Sequence, residues 1–169
     1  MTKEKVSNQN NIFATVYLGL GTNLGNKKEN IELAIEKIEK QIGNIVSLSA
    51  FHISEPVGFE SDNLFLNCAV KINTISLPSE LLAKTQSIEN EMGRLKKSDT
   101  DSYSDRIIDI DILFYDNAVI NNHPTLVIPH PYIPQRMFVL NTMAEIAPDF
   151  IHPVLNKTIA QLVDELKVE

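Results

Sequence analysis

The sequence predicts an α+β fold: a ferredoxin-like βαββαβ core with an antiparallel sheet, followed by a C-terminal helical extension. Three observations carry that expectation. Four segments rich in β-branched, aromatic and aliphatic residues, at 13–20, 45–53, 65–72 and 107–115, read as strands. Two stretches between them, from 27 to 41 and from Pro78 onward, place apolar residues at helical period. The second and third strands are separated only by the loop 54–63 (SEPVGFESDN), within hairpin reach.

Each element has its own signal. The run FATVYLGL at 13–20 reads as a buried strand, and GTNLGN follows as a tight glycine-bearing turn. Asn26 stands three residues before Glu29, the spacing of a capping box. Ile31, Ala34, Ile35 and Ile38 make one helical stripe, which Gly43 stops. Pro78 suits the first turn of the second helix, whose stripe is Leu81, Leu82, Thr85, Ile88 and Met92. Residues 94–106 (RLKKSDTDSYSDR) are polar without apolar period and read as a long mobile loop. IIDIDILFY at 107–115 is an alternating strand. Beyond it come a turn at Asp116-Asn117, the proline-rich stretch HPTLVIPHPYIPQR, and helices over about 138–147, stopped by Pro148, and 158–166. Residues 1–11 read as a disordered polar arm and 12–169 as one domain, with the tail packed on the same core.

Composition narrows the function. With 15 basic and 22 acidic residues in 169, the net charge is −7, which weighs against a nucleic-acid-binding role. No apolar run reaches the ~20 residues that span a bilayer, and the polar N-terminus lacks the apolar stretch of a secretory signal. Cys68 is the single cysteine and has no partner in the chain, so a reducing compartment, the cytoplasm, is expected.

Several residues can carry chemistry. In a strand, side chains two apart share a face with Cα atoms ~6.5–7 Å apart, so Asp109 and Asp111 point one way and Ile108, Ile110 and Ile112 the other. The acids fit two solvated groups on an exposed face and equally a site for hard Mg²⁺. Arg94, Lys96, Lys97 and Arg106 bracket the polar loop, and His130 and Arg136 come from the proline-rich stretch. Each reads as a surface charge, or together as a site for a metal-bound polyphosphate. Gly19, Gly21 and Gly25 break the spacing of dinucleotide and phosphate loops, which favours a structural turn. Phe65 and Asn67 share a strand face; they suit a core ring with an edge amide, or a stacking and hydrogen-bonding pair for a flat heterocycle. Phe138 allows the same two readings.

Taken in order, these residues resemble the 6-hydroxymethyl-7,8-dihydropterin pyrophosphokinase family of folate synthesis over 16–163. The shared motifs are L-G-T-N-L-G at 20–25, the loop 49–58 ending in P-V-G, F-L-N at 65–67, Q-S-I-E-N-E-M-G-R at 86–94, R-I-I-D-I-D-I-L at 106–113, P-H-P…R-M-F-V-L at 129–140 and E-I-A-P at 145–148. The resemblance implies transfer of pyrophosphate from MgATP to the pterin hydroxymethyl group with release of AMP. It implies that Asp109 and Asp111 hold two Mg²⁺ ions and act with Arg94 and Arg106 in catalysis. Gln86, Glu89, Arg94, Lys96, Arg106, His130 and Arg136 would contact ATP. Phe65 and Phe138 would sandwich the pterin, with Asn67 and groups at Ser54 and Val57 reading its edge. Tyr103, Ser104 and Asp105 replace a W-G-P run before Arg106, Lys96 replaces an arginine that could make a bidentate fork, and Tyr132 replaces an arginine after P-H-P. The partners expected are ATP and the pterin, with no nucleic acid or membrane, and a monomer suffices. Another metal-dependent nucleotidyl or phosphoryl transferase and a non-catalytic small-molecule-binding domain are the competing classes.

Overall fold

The first strand, β1 (Ala14–Thr22), pairs on both sides and so becomes the middle of a sheet. In this computed structural model, which describes residues 12–93 and 104–169, the order is β1, α1 (Lys27–Gln41), β2 (Asn44–Leu48), β3 (His52–Ser54), β4 (Phe65–Thr74), α2 (Pro78–Glu91), β5 (Asp109–Tyr115), β6 (Ile120–Asn122), β7 (Leu126–Ile128), α3 (Met137–Ile146) and α4 (Ile159–Val168). The arm 1–11, Arg94, Lys96 and most of the polar loop lie outside the described residues. The main sheet runs β2-β4-β1-β5 with β3 also on β4, and every pairing is antiparallel. This is the predicted ferredoxin-like order. No helix among the described residues is long and apolar enough to cross a membrane.

Local chemistry sets the helix ends. Asn26 Oδ1 accepts the Glu29 N–H at 3.2 Å and caps α1. Behind α1, Gly43 passes so close to β4 that a Cβ there would lie 2.1 Å from the Asn73 carbonyl oxygen, so only glycine fits. At α2 the Glu80 carboxylate accepts the Leu77 N–H at 3.0 Å, and Pro78 opens the first turn.

The sheet has a core on each face. Val16, Leu18, Leu20, Val70, Ile72, Ile108, Ile110 and Ile112 meet Ile31, Ala34 and Ile38 of α1 and Leu81 and Ile88 of α2. On the reverse, Tyr17, Ala69, Leu113 and Phe114 meet Val139, Leu140 and Met143 of α3 and Ile159, Leu162 and Val163 of α4. The tail therefore packs on the opposite face and not on the α1/α2 core as predicted. The reason is that Tyr17 of β1, Ala69 of β4 and Leu113 and Phe114 of β5 form an apolar patch on that face, which needs its own cover.

Three details differ from the sequence expectation. The predicted strand 45–53 is two strands. At the break, the buried Ser49 hydroxyl accepts the Ala69 N–H at 2.9 Å and donates to the Ala50 carbonyl at 2.8 Å. That side chain takes over part of the backbone ladder and frees the edge to turn. The proline-rich stretch begins at the turn of a hairpin, β6/β7, with β6 just before it and β7 inside it, and three-residue strands are too short to show a period. The alternation of β5 slips at a bulge: Tyr17 faces Phe114 but Leu18 faces Ile112, so Leu113 and Phe114 both turn to the α3 face.

Candidate active site

The acids come first because β5 places them. Asp109 and Asp111 lie on the α3 side of the sheet, and their partners across the ladder are Gly21 and Gly19 of β1. Both glycines lie within the strand, not in the turn to α1, and they leave the sheet backbone bare beside the carboxylates. A Cβ on Gly21 would stand 3.1 Å from Asn67 Oδ1 and 3.7 Å from the Phe65 ring; one on Gly19 would touch Leu113 at 3.4 Å. The floor of the cleft is backbone for this reason.

Asp109 carries a cation beside it. Arg106 Nη1 stands 3.5 Å from Asp109 Oδ2, and the arginine is only 9% exposed. Its backbone is pinned by Asn23, whose Oδ1 accepts the Arg106 N–H at 2.8 Å while the Asn23 N–H donates to the Arg106 carbonyl at 3.1 Å. Its guanidinium donates through Nε to the Ser104 carbonyl and lies 5.5 Å from the Phe65 ring centre and 5.9 Å from that of Phe59. Asn23 also donates from Nδ2 to Asp105 Oδ1 at 2.7 Å, and Asn63 donates to Asp105 Oδ2 at 3.1 Å. Hydrogen bonds from Ser61 first, then Asn23 and Asn63, with Arg106 adding its charge, hold the Asp105 carboxyl below the usual range. The turn motif at 20–25 thus locks the chain that delivers Arg106.

The β5 bulge places the second basic group. The carbonyl of the extra residue, Leu113, accepts the His130 N–H at 3.0 Å, which sets the imidazole Nε2 3.9 Å from Asp111 Oδ2. His130 Nδ1 accepts the Tyr132 N–H at 3.3 Å, so the neutral ring carries its proton on Nε2, toward the acid. Arg136 stacks on the Tyr132 ring at 4.9 Å.

The opposite half of the cleft is aromatic. Phe65 from β4 and Phe138 from α3 line it with Ser54, Val57, Phe59 and Thr142, and the whole cleft, its mouth included, encloses about 640 Å³. Buried Asn67 donates from Nδ2 to the His52 carbonyl at 3.2 Å and to Ser54 Oγ at 2.8 Å. Its Nδ2 is fixed by a carbonyl that can only accept, so Oδ1 faces the Gly21 side of the cleft.

Of the predicted residues, Ser54, Val57, Phe65, Asn67, Arg106, Asp109, Asp111, Arg136 and Phe138 line this one cleft, and His130 adjoins it at Asp111. Glu89 is buried in α2, where Oε1 accepts the Ile110 N–H at 2.9 Å. Gln86 is exposed on α2 and is not among the residues lining the cleft. Arg94 and Lys96 lie outside the described residues. The sequence reading missed Phe59, Asn23, Gly19 and Gly21 as parts of the site. For Asn23 the signal was an asparagine in an otherwise apolar, glycine-rich run.

Among the described residues no three His, Cys, Asp or Glu side chains converge as a closed metal cage. Asp109 and Asp111, with side chains 20% and 25% exposed, fit instead a hard cation that keeps other oxygen ligands of its own.

Sheet and cleft together define the class: ferredoxin-like α+β proteins that set a carboxylate pair, arginines and an aromatic slot on one face of the sheet. The comparisons narrow it. The model of the 7,8-dihydro-6-hydroxymethylpterin-pyrophosphokinase (HPPK) family matches residues 17–148, and the chain belongs to that family. It is 41% identical over 140 residues to 2-amino-4-hydroxy-6-hydroxymethyldihydropteridine pyrophosphokinase of Porphyromonas gingivalis, covering 83% of this chain and 95% of that one. It is 40% identical over 152 residues to the enzyme of the same name from Aquifex aeolicus, covering 90% and 92%. The crystal structure of wild-type Plasmodium falciparum HPPK-DHPS shares the fold, with a TM-score of 0.74 at 20% identity over 90% of this chain and 44% of that one.

Proposed function

We propose that the chain transfers the β,γ-pyrophosphoryl group of ATP to the hydroxymethyl oxygen of 6-hydroxymethyl-7,8-dihydropterin and releases AMP. The single observation that carries this reading is one cleft with two chemically different ends, the Asp109/Asp111 pair at one and Phe65, Asn67 and Phe138 at the other, with Arg106 between Asp109 and Phe65. The family's name joins a pterin to a pyrophosphokinase, and the two ends suit those two halves.

Phe65 and Phe138 stack the flat ring, and Asn67 Oδ1 accepts an N–H from its edge. Asp109 and Asp111 would hold two Mg²⁺ ions together with the ATP phosphates. When bound, Mg²⁺ neutralises phosphate charge and orients the transferred group. Arg106 and Arg136 line the cleft as cations and balance the charge that develops as the phosphoanhydride bond breaks. His130 donates from Nε2 on the Asp111 side. Arg94 and Lys96, together with Gln86 and Glu89, belong to the ATP side in this reading. Little covalent chemistry falls to the protein; holding two substrates in line accounts for most of the acceleration.

A monomer suffices for this reading, and the single cysteine, buried and without a partner cysteine in the chain, suits the cytoplasm. Purified protein with ATP, Mg²⁺ and the reduced hydroxymethylpterin should yield one AMP per pterin consumed. Stoichiometric ADP would place it among ordinary kinases and overturn the proposal.

A further inference from the structure

Beyond the cleft, one carboxylate has no place in the chemistry and sits where a helix would not choose it. Glu145 is the penultimate residue of α3, whose last turn carries no basic residue. An acid there opposes the negative end of the helix dipole. Its side chain instead reaches the edge of the sheet: Oε2 accepts the Ala50 N–H at 2.7 Å, and Oε1 takes a very short contact from His52 Nε2. These bonds, the Ala50 N–H foremost, hold the Glu145 carboxyl below the ordinary range.

What Glu145 grips is the least supported strand of the sheet. β3 is three residues long and pairs only with β4, through His52↔Asn67, Ile53↔Leu66 and Ser54↔Phe65. Its outward Ile53 is 72% exposed. Yet β3 supplies both acceptors that orient Asn67: the His52 carbonyl and Ser54 Oγ. The helix that grips it also carries Phe138 and Thr142 of the facing wall. Glu145 therefore ties the two walls of the aromatic end together at their outer margin.

We propose that Glu145 is a positioning residue for the pterin half of the cleft: by latching Ala50 and His52 to α3, it fixes β3 and through it the orientation of Asn67. The inference rests on the pterin reading above and adds to it a residue that touches neither substrate.

The test compares Glu145→Ala, Glu145→Gln and His52→Ala in steady-state assays with ATP, Mg²⁺ and the reduced hydroxymethylpterin, with melting temperature measured alongside. Losing a charge-assisted hydrogen bond should raise the pterin KM on the order of tenfold in Glu145→Ala and leave the ATP KM unchanged. Glu145→Gln can still accept from Ala50 and donate to His52, so it should restore most of the pterin KM. In an Asn67→Ala background the Glu145→Ala effect should vanish, because the group it positions is gone. Equal changes in both KM values, or a Glu145→Ala effect undiminished without Asn67, would overturn the latch. So would a Gln variant as impaired as the Ala variant. Should Glu145→Ala fail to fold, His52→Ala cuts the same latch from the strand side and must still raise the pterin KM selectively. Wild-type protein that forms no AMP would overturn the functional reading itself, whereas active wild type with unaltered Glu145→Ala kinetics overturns only the latch.

Discussion

Asp109 and Asp111 share a strand face but differ in their surroundings. Asp109 stands beside a guanidinium that is nearly buried, whereas Asp111 faces an imidazole at 3.9 Å. Asn at either position keeps the shape and removes one negative charge. Turnover should fall about a hundred- to a thousandfold in both variants, the scale seen when one electrostatic group is removed from a transition state. Stability should separate them. Asp109→Asn takes an ionic partner from buried Arg106 and should lower the metal-free melting temperature. Asp111→Asn relieves repulsion between neighbouring acids and should leave that temperature level or raise it. Near-full turnover in either variant would remove that acid from the site. Which residues face the cleft was legible in the sequence, because alternation fixes the side on which Asp109, Asp111, Phe65 and Asn67 project. Phe59 was not legible: it lies in a loop without period, and only the folded chain brings it near Arg106.

At the scale of elements, both main helices and the strand order followed from period and turn spacing, and α1 begins and ends where its caps stand. The breaks were harder to foresee. The turn at Ser49 and the bulge at Leu113 depend on which backbone groups find a partner across the sheet, and that information is not local. The segment before α4 offers a test. Buried His152 accepts the Val154 and Leu155 N–H groups on Nδ1, each at 3.2 Å, and packs edge-on to Phe114. Burial lowers its pKa below the ordinary value, which is about 6.5. The unfolded chain therefore takes up this proton at a higher pH than the folded one. The contribution of neutral His152 is complete above the unfolded value and shrinks as pH falls from there through the lower, folded one. His152→Asn should melt earlier at pH 8 yet lose less stability between pH 7.5 and 5.5 than the wild type. Parallel melting curves for the two proteins across that range would exclude His152 as a source of acid sensitivity.

The whole molecule is a sheet with a core on each face, and the cleft lies at the margin of the second. That second core depends on α4, which begins eleven residues beyond the span matched by the family model. Ile159, Leu162 and Val163 of α4 are 0%, 4% and 7% exposed against the layer that carries Phe138 and Thr142. Deleting 159–169 should reduce unfolding free energy on the order of 5 kcal/mol. Typical domains have only about 5–15 kcal/mol in total, so the shortened chain should be marginal in chemical denaturation. A truncated protein with unaltered stability would show that α3 covers the sheet unaided.

The bare floor at Gly19 and Gly21 bears on inhibition. A compound that lies on this stretch of strand contacts main-chain atoms, which no codon change can delete. Resistance through the floor can come only by adding a side chain. At Gly21 the first atom added meets Asn67 and Phe65, the groups that a pterin would use. An inhibitor confined to the volume shared by the floor and the natural ring therefore leaves little room for escape, because a substitution that excludes the drug excludes the substrate with it.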